Sequence, residues 1–355
     1  MNKIRIQGYK SIKDLSLDLR PINILIGANG SGKSNFLSFF DFLKQVYNCN
    51  LTEFVALKGI DTFLHKGDKI TTEISTHLYF KGTNGYSFTV KKGNSGFIFT
   101  DEGMWYDNPN DSNPLQIASF GSESSLRYQT APRAEYIRKY LDQLSRYHFH
   151  DTGENSPFNK ESNISNDIFT LYEKGSNLAA FVYNIREENP VVYNLIVKTI
   201  QSIAPYFLDF FFRLERNGNV KLRWQSKHSS SVYGVNDFSD GTIRFIALTV
   251  LFLQPNLPET IIIDEPELGL HPTAITKLSG LIKLAAAKKC QVILATQSTD
   301  LISHFEAEDI ITVDQINGES NFKRLDSESL KDWLDDYTID DLWKRNIITT
   351  GQPNL

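Results

Sequence analysis

Cysteine is nearly absent from this chain: Cys49 and Cys290 are the only two in 355 residues. They are too few and too far apart for a disulfide framework or a metal cluster, and a reducing cytosol is the expected compartment. Long apolar runs are missing too. The longest, residues 245–253, is about half a membrane span and gives way to Pro255. No apolar signal core follows the opening Met-Asn-Lys-Ile-Arg-Ile. Nor is there an excess of basic charge. With 37 Lys and Arg against 42 Asp and Glu the formal net charge is −5. Global charge therefore gives no pull toward nucleic acid, and any such contact needs a local basic patch. Internal repeats and long low-complexity tracts are lacking as well. What remains, 41% hydrophobic and 22% charged residues, is the composition of a soluble globular protein with room for one large domain or two lobes. A soluble, cytoplasmic protein without a membrane partner is expected.

Against this plain background one stretch stands out. Residues 27–34 read Gly-Ala-Asn-Gly-Ser-Gly-Lys-Ser, which fits the phosphate-binding loop pattern G-x-x-x-x-G-K-[ST] at every fixed position. An apolar run suited to a buried strand, 22–26, precedes it, and residues 35–43 carry apolar side chains at helical spacing. In a strand–turn–helix of this kind, Asn29, Gly30, Ser31 and Gly32 let backbone N–H groups curl around phosphate oxygens. The helix N-terminus at Lys33, Ser34 and Asn35 adds its partial positive charge. Lys33 would reach the β- and γ-phosphates of a nucleotide, and the Ser34 hydroxyl would complete a Mg²⁺ shell. ATP and Mg²⁺ are the expected cofactors.

Residues 3–26 alternate like strands, broken at 8–11. Strands at 70–80, 86–92, 96–100 and 104–106 make a β-meander with turns at 82–85, 93–96 and 101–103, followed by a polar loop at 107–113. A helix is expected over 126–147, its Arg133, Arg138, Lys139 and Arg146 forming either a solvated face or a DNA-facing patch. The Ser/Asn/Gly-rich stretch 151–166 reads as a flexible joint. Helices at 176–188 and 190–204 and a hairpin around Asn217-Gly218 follow, then a polar linker at 227–236.

The second half offers acids. At 260–266, Thr-Ile-Ile-Ile-Asp-Glu-Pro is a buried parallel strand delivering two carboxylates at its C-terminal end, where ligands of open α/β sheets bind. Asp264 suits Mg²⁺ through water, opposite Ser34. Glu265 suits the general base that takes a proton from an attacking water. Ser239, before the apolar helix 242–253, is an N-cap whose helix N-terminus could bind an anion.

These motifs together resemble the ABC-type ATPases, in the branch of SMC, RecF and OLD-nuclease heads. Residues 264–272, Asp-Glu-Pro-Glu-Leu-Gly-Leu-His-Pro, look like a Walker B strand and D-loop. Residues 238–242, Phe-Ser-Asp-Gly-Thr, look like the signature motif, and Ile4-x-Ile6-x-Gly8-Tyr9-Lys10-Ser11-Ile12 is similar to that branch's N-terminus. The resemblance implies an α/β head with a mixed sheet around the loop helix, an antiparallel β-meander and a helical insertion. It implies lobe I at 1–150, an insertion at 151–230, lobe II at 231–325, and a helical tail from 326 that includes Trp333, Leu334, Leu342 and Trp343. It also implies a homodimer in which Ser239 and Gly241 of one copy cap the phosphates held by the other, with His271 at the D-loop end, where transporters usually carry Asp. Gln297 falls at the switch position, often His in relatives. Gln cannot carry a proton at neutral pH, so slow hydrolysis is expected. Asp240 and Thr242 depart from the usual Ser-Gly-Gly-Gln, and Asp240 has to point away from phosphate. At 147–151 the family's Q-loop glutamine is missing, Gln129 being the nearest alternative, and His148 and His150 lack a third metal ligand.

Stand-alone ATPases of this AAA-21 type imply control of a separate effector, such as a nuclease in anti-phage defence. No Toprim-like acidic cluster or His-Asn-His run is present here, so the effector is expected on another chain. A RecF-like DNA-binding ATPase of DNA repair and a nucleotide-gated scaffold with little turnover remain the other readings. The lack of an Asn-Lys-x-Asp motif argues against a GTPase.

Overall fold

A computed structural model describes residues 1–80, 84–94, 96–106, 115–118, 120–334, 337–345 and 347–348. The expected loop at 107–113, the first part of the turn at 82–85, Ser95 and the Leu334 side chain lie outside them. The chain divides into two compact units. One holds Met1–Leu144, Ile293–Gln297 and Glu306–Leu355, the other Ser145–Val292 and Ser298–Phe305.

In the first unit, six strands form an antiparallel sheet in the order Ile12–Asp18, Lys3–Tyr9, Glu73–Tyr79, Asn84–Lys92, Phe97–Tyr106 and Leu115–Ala118. Alternating apolar residues explain it: Ile4 and Ile6 face the core while Lys3 and Arg5 do not. The turn after Tyr9 uses Lys10 at φ 48°, and Gly8, inside the strand just before it, has φ 76°. The same unit carries the strand Ile22–Ile26 beside Ile310–Ile316, parallel to it, and Glu319–Arg324, which pairs antiparallel with the latter. All five residues of Ile22–Ile26 are buried, Asn23 among them with its side chain bonded to the N–H and carbonyl of Arg20.

The helix Lys33–Tyr47 buries Phe36, Leu37, Phe39, Phe40, Phe42, Leu43 and Val46. Phe39 meets Tyr9 edge-on at 5.3 Å between ring centres, and Phe42 meets Phe97 at 6.0 Å and Phe63 at 5.7 Å. Each phenyl so buried contributes about 1.5–3 kcal/mol. The phosphate-loop helix is thus anchored by the aromatic core of the meander.

The meander departs from expectation at 101–103. Phe97–Tyr106 is one strand, with a bulge opposite Thr89 and Val90. Glu102 is fully buried and accepts from the Tyr86 hydroxyl at 2.6 Å, from Ser124 Oγ at 2.5 Å and from the Ser125 N–H at 2.8 Å. A carboxylate with three donors satisfies itself inside the sheet, so no turn forms there. The helix expected over 126–147 is also shorter: it runs Pro132–Asp142 and gives way to a strand, Leu144–Tyr147. Proline at its first position fixes the start.

In the second unit, the helices Leu178–Glu188, Pro190–Gln201, Asp240–Leu253 and Pro272–Ala287 accompany a small sheet of Phe207–Phe210, Trp224–Ser226 and Val232–Tyr233. The residues expected as a joint are folded. Phe158 and Ser162 are buried, and Ser162–Asn163 pairs with Asn219–Val220. The expected linker at 227–236 contains Val232–Tyr233, paired with Trp224–Ser226. Trp224 explains the ordering: it stacks on Phe238 at 4.4 Å and on Tyr233 at 4.8 Å, and its indole donates to the Gly234 carbonyl at 2.9 Å. Among the described residues no helix is long and apolar enough to cross a membrane.

Candidate nucleotide site

The loop at 27–34 connects Ile22–Ile26 to the helix Lys33–Tyr47. Gly27 has φ 155°, and a Cβ there would lie 2.2 Å from the Val313 carbonyl oxygen. Gly32 has φ 111°, and its Cβ would lie 1.9 Å from Ser320 Oγ. Gly30 has φ 80° and open space beside it. Two glycines are therefore demanded by close approach of the protein to itself, and the third leaves the loop's outer side clear.

The donors fit a polyphosphate. Gly32 caps the helix without any side-chain hydrogen bond, so its first-turn N–H groups are not taken by a cap. Ser31 Oγ is buried and lacks a hydrogen-bond partner. Lys33 is buried, its ammonium donating to the carbonyls of Gly27 at 2.6 Å and Ala28 at 2.9 Å. An ammonium held on the carbonyls of its own loop stays inside the cradle, ready to exchange them for phosphate oxygens. Asn29 and Ser34 are exposed, and Asn35 Nδ2 donates to Ser11 Oγ at 2.8 Å.

Behind the loop lies a support the sequence reading missed. Ser320 Oγ donates to the Ser31 carbonyl at 2.6 Å and shares a hydrogen bond with Ser11 Oγ at 2.7 Å, and the Ser320 N–H donates to the Ser11 carbonyl at 2.8 Å. Only the summed sequence separation hid it: Ser320 is 289 residues from Ser31.

The acids sit in the other unit. Thr260–Asp264 is buried until Asp264, which is partly open, as is Glu265. Glu265 adopts φ 41°, sparsely populated for a side-chain-bearing residue and costing about 1–3 kcal/mol. Arg146, expected on a helix face, lies instead on the strand Leu144–Tyr147 with its guanidinium 3.7 Å from the Asp264 carboxylate. Arg138, expected on the same face, donates to the carbonyls of Arg127 and Gln129.

Ser239 caps Asp240–Leu253, accepting from the Thr242 N–H at 3.2 Å. Gly241 is needed there, because a Cβ would meet the Gly269 carbonyl oxygen at 2.3 Å. Arg244, one turn on, is buried and binds the carbonyls of Phe149 at 3.1 Å and His150 at 3.2 Å, and that of Leu268. Burial pulls its pKa down, and the charge of Asp240 pulls the other way. His271 caps Pro272–Ala287: its Nδ1 accepts from the Thr273 N–H at 3.3 Å. Asp and His share that capping chemistry, which rationalises histidine where acid is usual. Gln297 is exposed beyond the buried strand Gln291–Thr296, ahead of Ser298, which caps the short helix Thr299–Ile302. The Gln129 side-chain amide donates to the Ile117 carbonyl at 3.5 Å. Among the described residues there is no group of three or more His, Cys, Asp or Glu able to hold a metal.

An α/β fold with mixed sheets, a glycine-rich loop ending in Lys-Ser, and a buried strand ending in two acids define a P-loop ATPase domain of the SMC and ABC head class. Two solved structures share the fold: an Smc head bound to the C-winged helix domain of ScpA, with TM-score 0.64 and 16% identity over 93% of this chain and 99% of that one, and an Smc head with an extended coiled coil, bound to the C-terminal domain of ScpA from Pyrococcus furiosus, with TM-score 0.58 and 14% identity over 94% and 98%. Residues 22–303 match the family AAA_21, described as "AAA domain, putative AbiEii toxin, Type IV TA system", and the chain belongs to that family. It is similar to the OLD nuclease of Thermus scotoductus, 23% identical over 89% of this chain and 62% of the relative. It is also similar to the Old nuclease of Escherichia phage P2, 22% identical over 93% and 61%, and to the replication and repair protein RecF of Phocaeicola vulgatus, 24% identical over 64% and 60%. The chain spans about three fifths of the length of these relatives.

Proposed function

We propose that this chain binds ATP with Mg²⁺ at residues 29–35, hydrolyses it slowly, and couples the bound state to closure of a homodimer that controls an effector. The carrying observation is Lys33: a buried ammonium satisfied by the Gly27 and Ala28 carbonyls beside an orphaned Ser31 hydroxyl. Ser34 and Asp264 would hold the metal, whose part is to neutralise phosphate charge. Glu265 would orient and deprotonate water. Gln297 can hydrogen-bond that water or the γ-phosphate without moving a proton, which favours a long-lived ATP state. Ser239 and Gly241 of the second copy, with His271 near them, would cap the phosphates. Lobe I (1–150) and lobe II (231–325) form the ATPase, with 151–230 an insertion and 326–355 a tail.

Membership of a family whose description names a toxin, and likeness to OLD nucleases, support a nuclease-type effector in prokaryotic anti-phage defence, acting in the cytoplasm. The RecF likeness supports a second reading, an ATPase that works on DNA. Phosphate release and solution mass, each with and without ATP, test the proposal. Wild type should release phosphate, and Glu265→Gln should stop release and trap a dimer with ATP. A monomer with ATP in both proteins would end the closure mechanism while leaving ATP binding intact.

A further inference from the structure

His65 is buried, 3% exposed, and its two ring nitrogens are used differently. Nδ1 lies 2.7 Å from the Lys10 carbonyl oxygen. A carbonyl only accepts, so Nδ1 carries the proton and Nε2 of the neutral ring is an acceptor. That acceptor is buried, has no hydrogen-bond partner among the described residues, and faces the Glu319 carboxylate across 3.9 Å. Two acceptors therefore confront each other where water does not reach Nε2, an arrangement that one proton would reverse.

The backbone fixes both groups. The His65 N–H donates to the Gly8 carbonyl at 3.0 Å, and Leu64 bridges Tyr9. Glu319 follows the hairpin turn Asn317-Gly318, whose φ values of 53° and 79° suit a tight two-residue connection. The other charged groups at this point are lysines. Lys66 contacts the carboxylate at 2.9 Å and Lys13 at 3.3 Å, while the Lys10 ammonium donates to Ser38 Oγ at 2.9 Å. The Lys66 bond, with Lys13 beside it, holds the Glu319 carboxyl below the usual carboxylate range. Glu319 is thus ionised wherever histidine ordinarily changes charge. Both lysines come from the surface, where such pairs contribute little; His65 does not. The residue after Glu319 is Ser320, whose hydroxyl donates to the Ser31 carbonyl of the phosphate loop.

We propose that His65 is a positioning residue for the phosphate loop: a proton on Nε2 makes a charge-assisted bond to Glu319 and draws the Ser320 hairpin against the loop. ATP affinity then rises as pH falls through the histidine range. The effect on ATP rests on the nucleotide reading above, whereas closure of the hairpin needs no nucleotide.

The test compares wild type with Glu319→Gln and with His65→Asn at about pH 6 and about pH 8. Asparagine keeps an amide donor where Nδ1 stood and has no atom at Nε2. Hydrogen exchange over residues 317–324 of the nucleotide-free chain reads the hairpin, and calorimetry reads ATP affinity. The ratio of wild type to variant at each pH cancels the pH dependence of exchange itself and the titration of ATP. Both ratios should be at least about threefold larger at the lower pH, the effect of one bond to a charged group. A merely structural histidine would shift stability without giving the two ratios this pH dependence. Exchange ratios that do not change with pH would overturn the proposal, and so would exchange ratios that change while those for ATP stay constant. Absence of ATP binding by wild type at both pH values would end the nucleotide reading, and the exchange ratios would then decide the His65–Glu319 closure by themselves.

Discussion

The Ser320 hydroxyl donates to the Ser31 carbonyl at 2.6 Å, tying a C-terminal hairpin to the turn that precedes Lys33. Ser11 completes the brace, its hydroxyl bonded to Ser320 Oγ and accepting from Asn35 Nδ2. The loop's shape is therefore fixed from behind, leaving its N–H groups to face outward. Ser320→Ala should cost about 1 kcal/mol of stability for the lost bonds and weaken ATP binding several-fold, measured by calorimetry with thermal unfolding alongside. Gly32→Ala should be worse, because its Cβ would sit 1.9 Å from Ser320 Oγ at φ 111°. Loss of ATP binding with a folded circular-dichroism spectrum is the expected result. Equal ATP affinity in both variants would show that the brace does not shape the loop.

Arg244 performs the corresponding task for the serine-capped helix. Its guanidinium gathers carbonyls from 149–150 and from Leu268, just before Gly269. Arg244→Ala should destabilise the fold by about 3 kcal/mol, since hydrogen bonds from charged donors are worth about 1.5–3 kcal/mol and one buried acceptor, at Phe149, loses its partner along with two partly buried ones. Arg244→Lys should recover little, because one ammonium cannot span a fork's three directions. Chemical denaturation of the three proteins gives the comparison.

Much of this was legible in the sequence, for identifiable reasons. Residues 27–34, the strand Thr260–Asp264 and the Ser239 cap are local patterns with one physical outcome each, and all three formed where expected. Glu102 was not legible. An acid between Asp101 and Gly103 reads as a turn, and only Tyr86, Ser124 and Ser125 folded around it make it a strand residue. Arg146, Arg244 and Ser320 were missed likewise: two of Arg244's partners lie 94 and 95 residues back in the chain, Ser31 lies 289 residues before Ser320, and Arg146 was hidden by an expected helix that in fact ends at Asp142. Phe158, Ser162 and Trp224 turned stretches that read as linkers into packed structure.

Glu265 separates stability from activity. At φ 41° a glycine is unstrained, so Glu265→Gly should leave the fold as stable as wild type or stabler by about 1 kcal/mol. Glu265→Gln keeps the strain and should leave stability unchanged. Both should abolish phosphate release. Melting curves and a phosphate-release assay on the two variants distinguish a strained functional residue from a structural one. A drop in melting temperature in Glu265→Gly would mean the carboxylate, not the backbone, was the stabilising partner.

Cys290 gives a test in alkali. It is 2% exposed, and burial pushes its thiol from the ordinary value near 9 up to about 12. The folded chain therefore holds the proton in a range where the unfolded chain has released it. Fewer protons on the unfolded state mean that stability falls as pH rises. The loss should begin near pH 9 and continue toward about pH 12. Cys290→Ala should flatten that stretch of the curve at the cost of a small cavity. Burial raises the Cys49 thiol as well, though Cys49 is only partly covered. At pH 8 a thiol reagent should thus modify Cys49 slowly and Cys290 only on unfolding, since the thiolate is the reacting species. Rapid modification of both in the native protein would contradict the packing around the strand Gln291–Thr296.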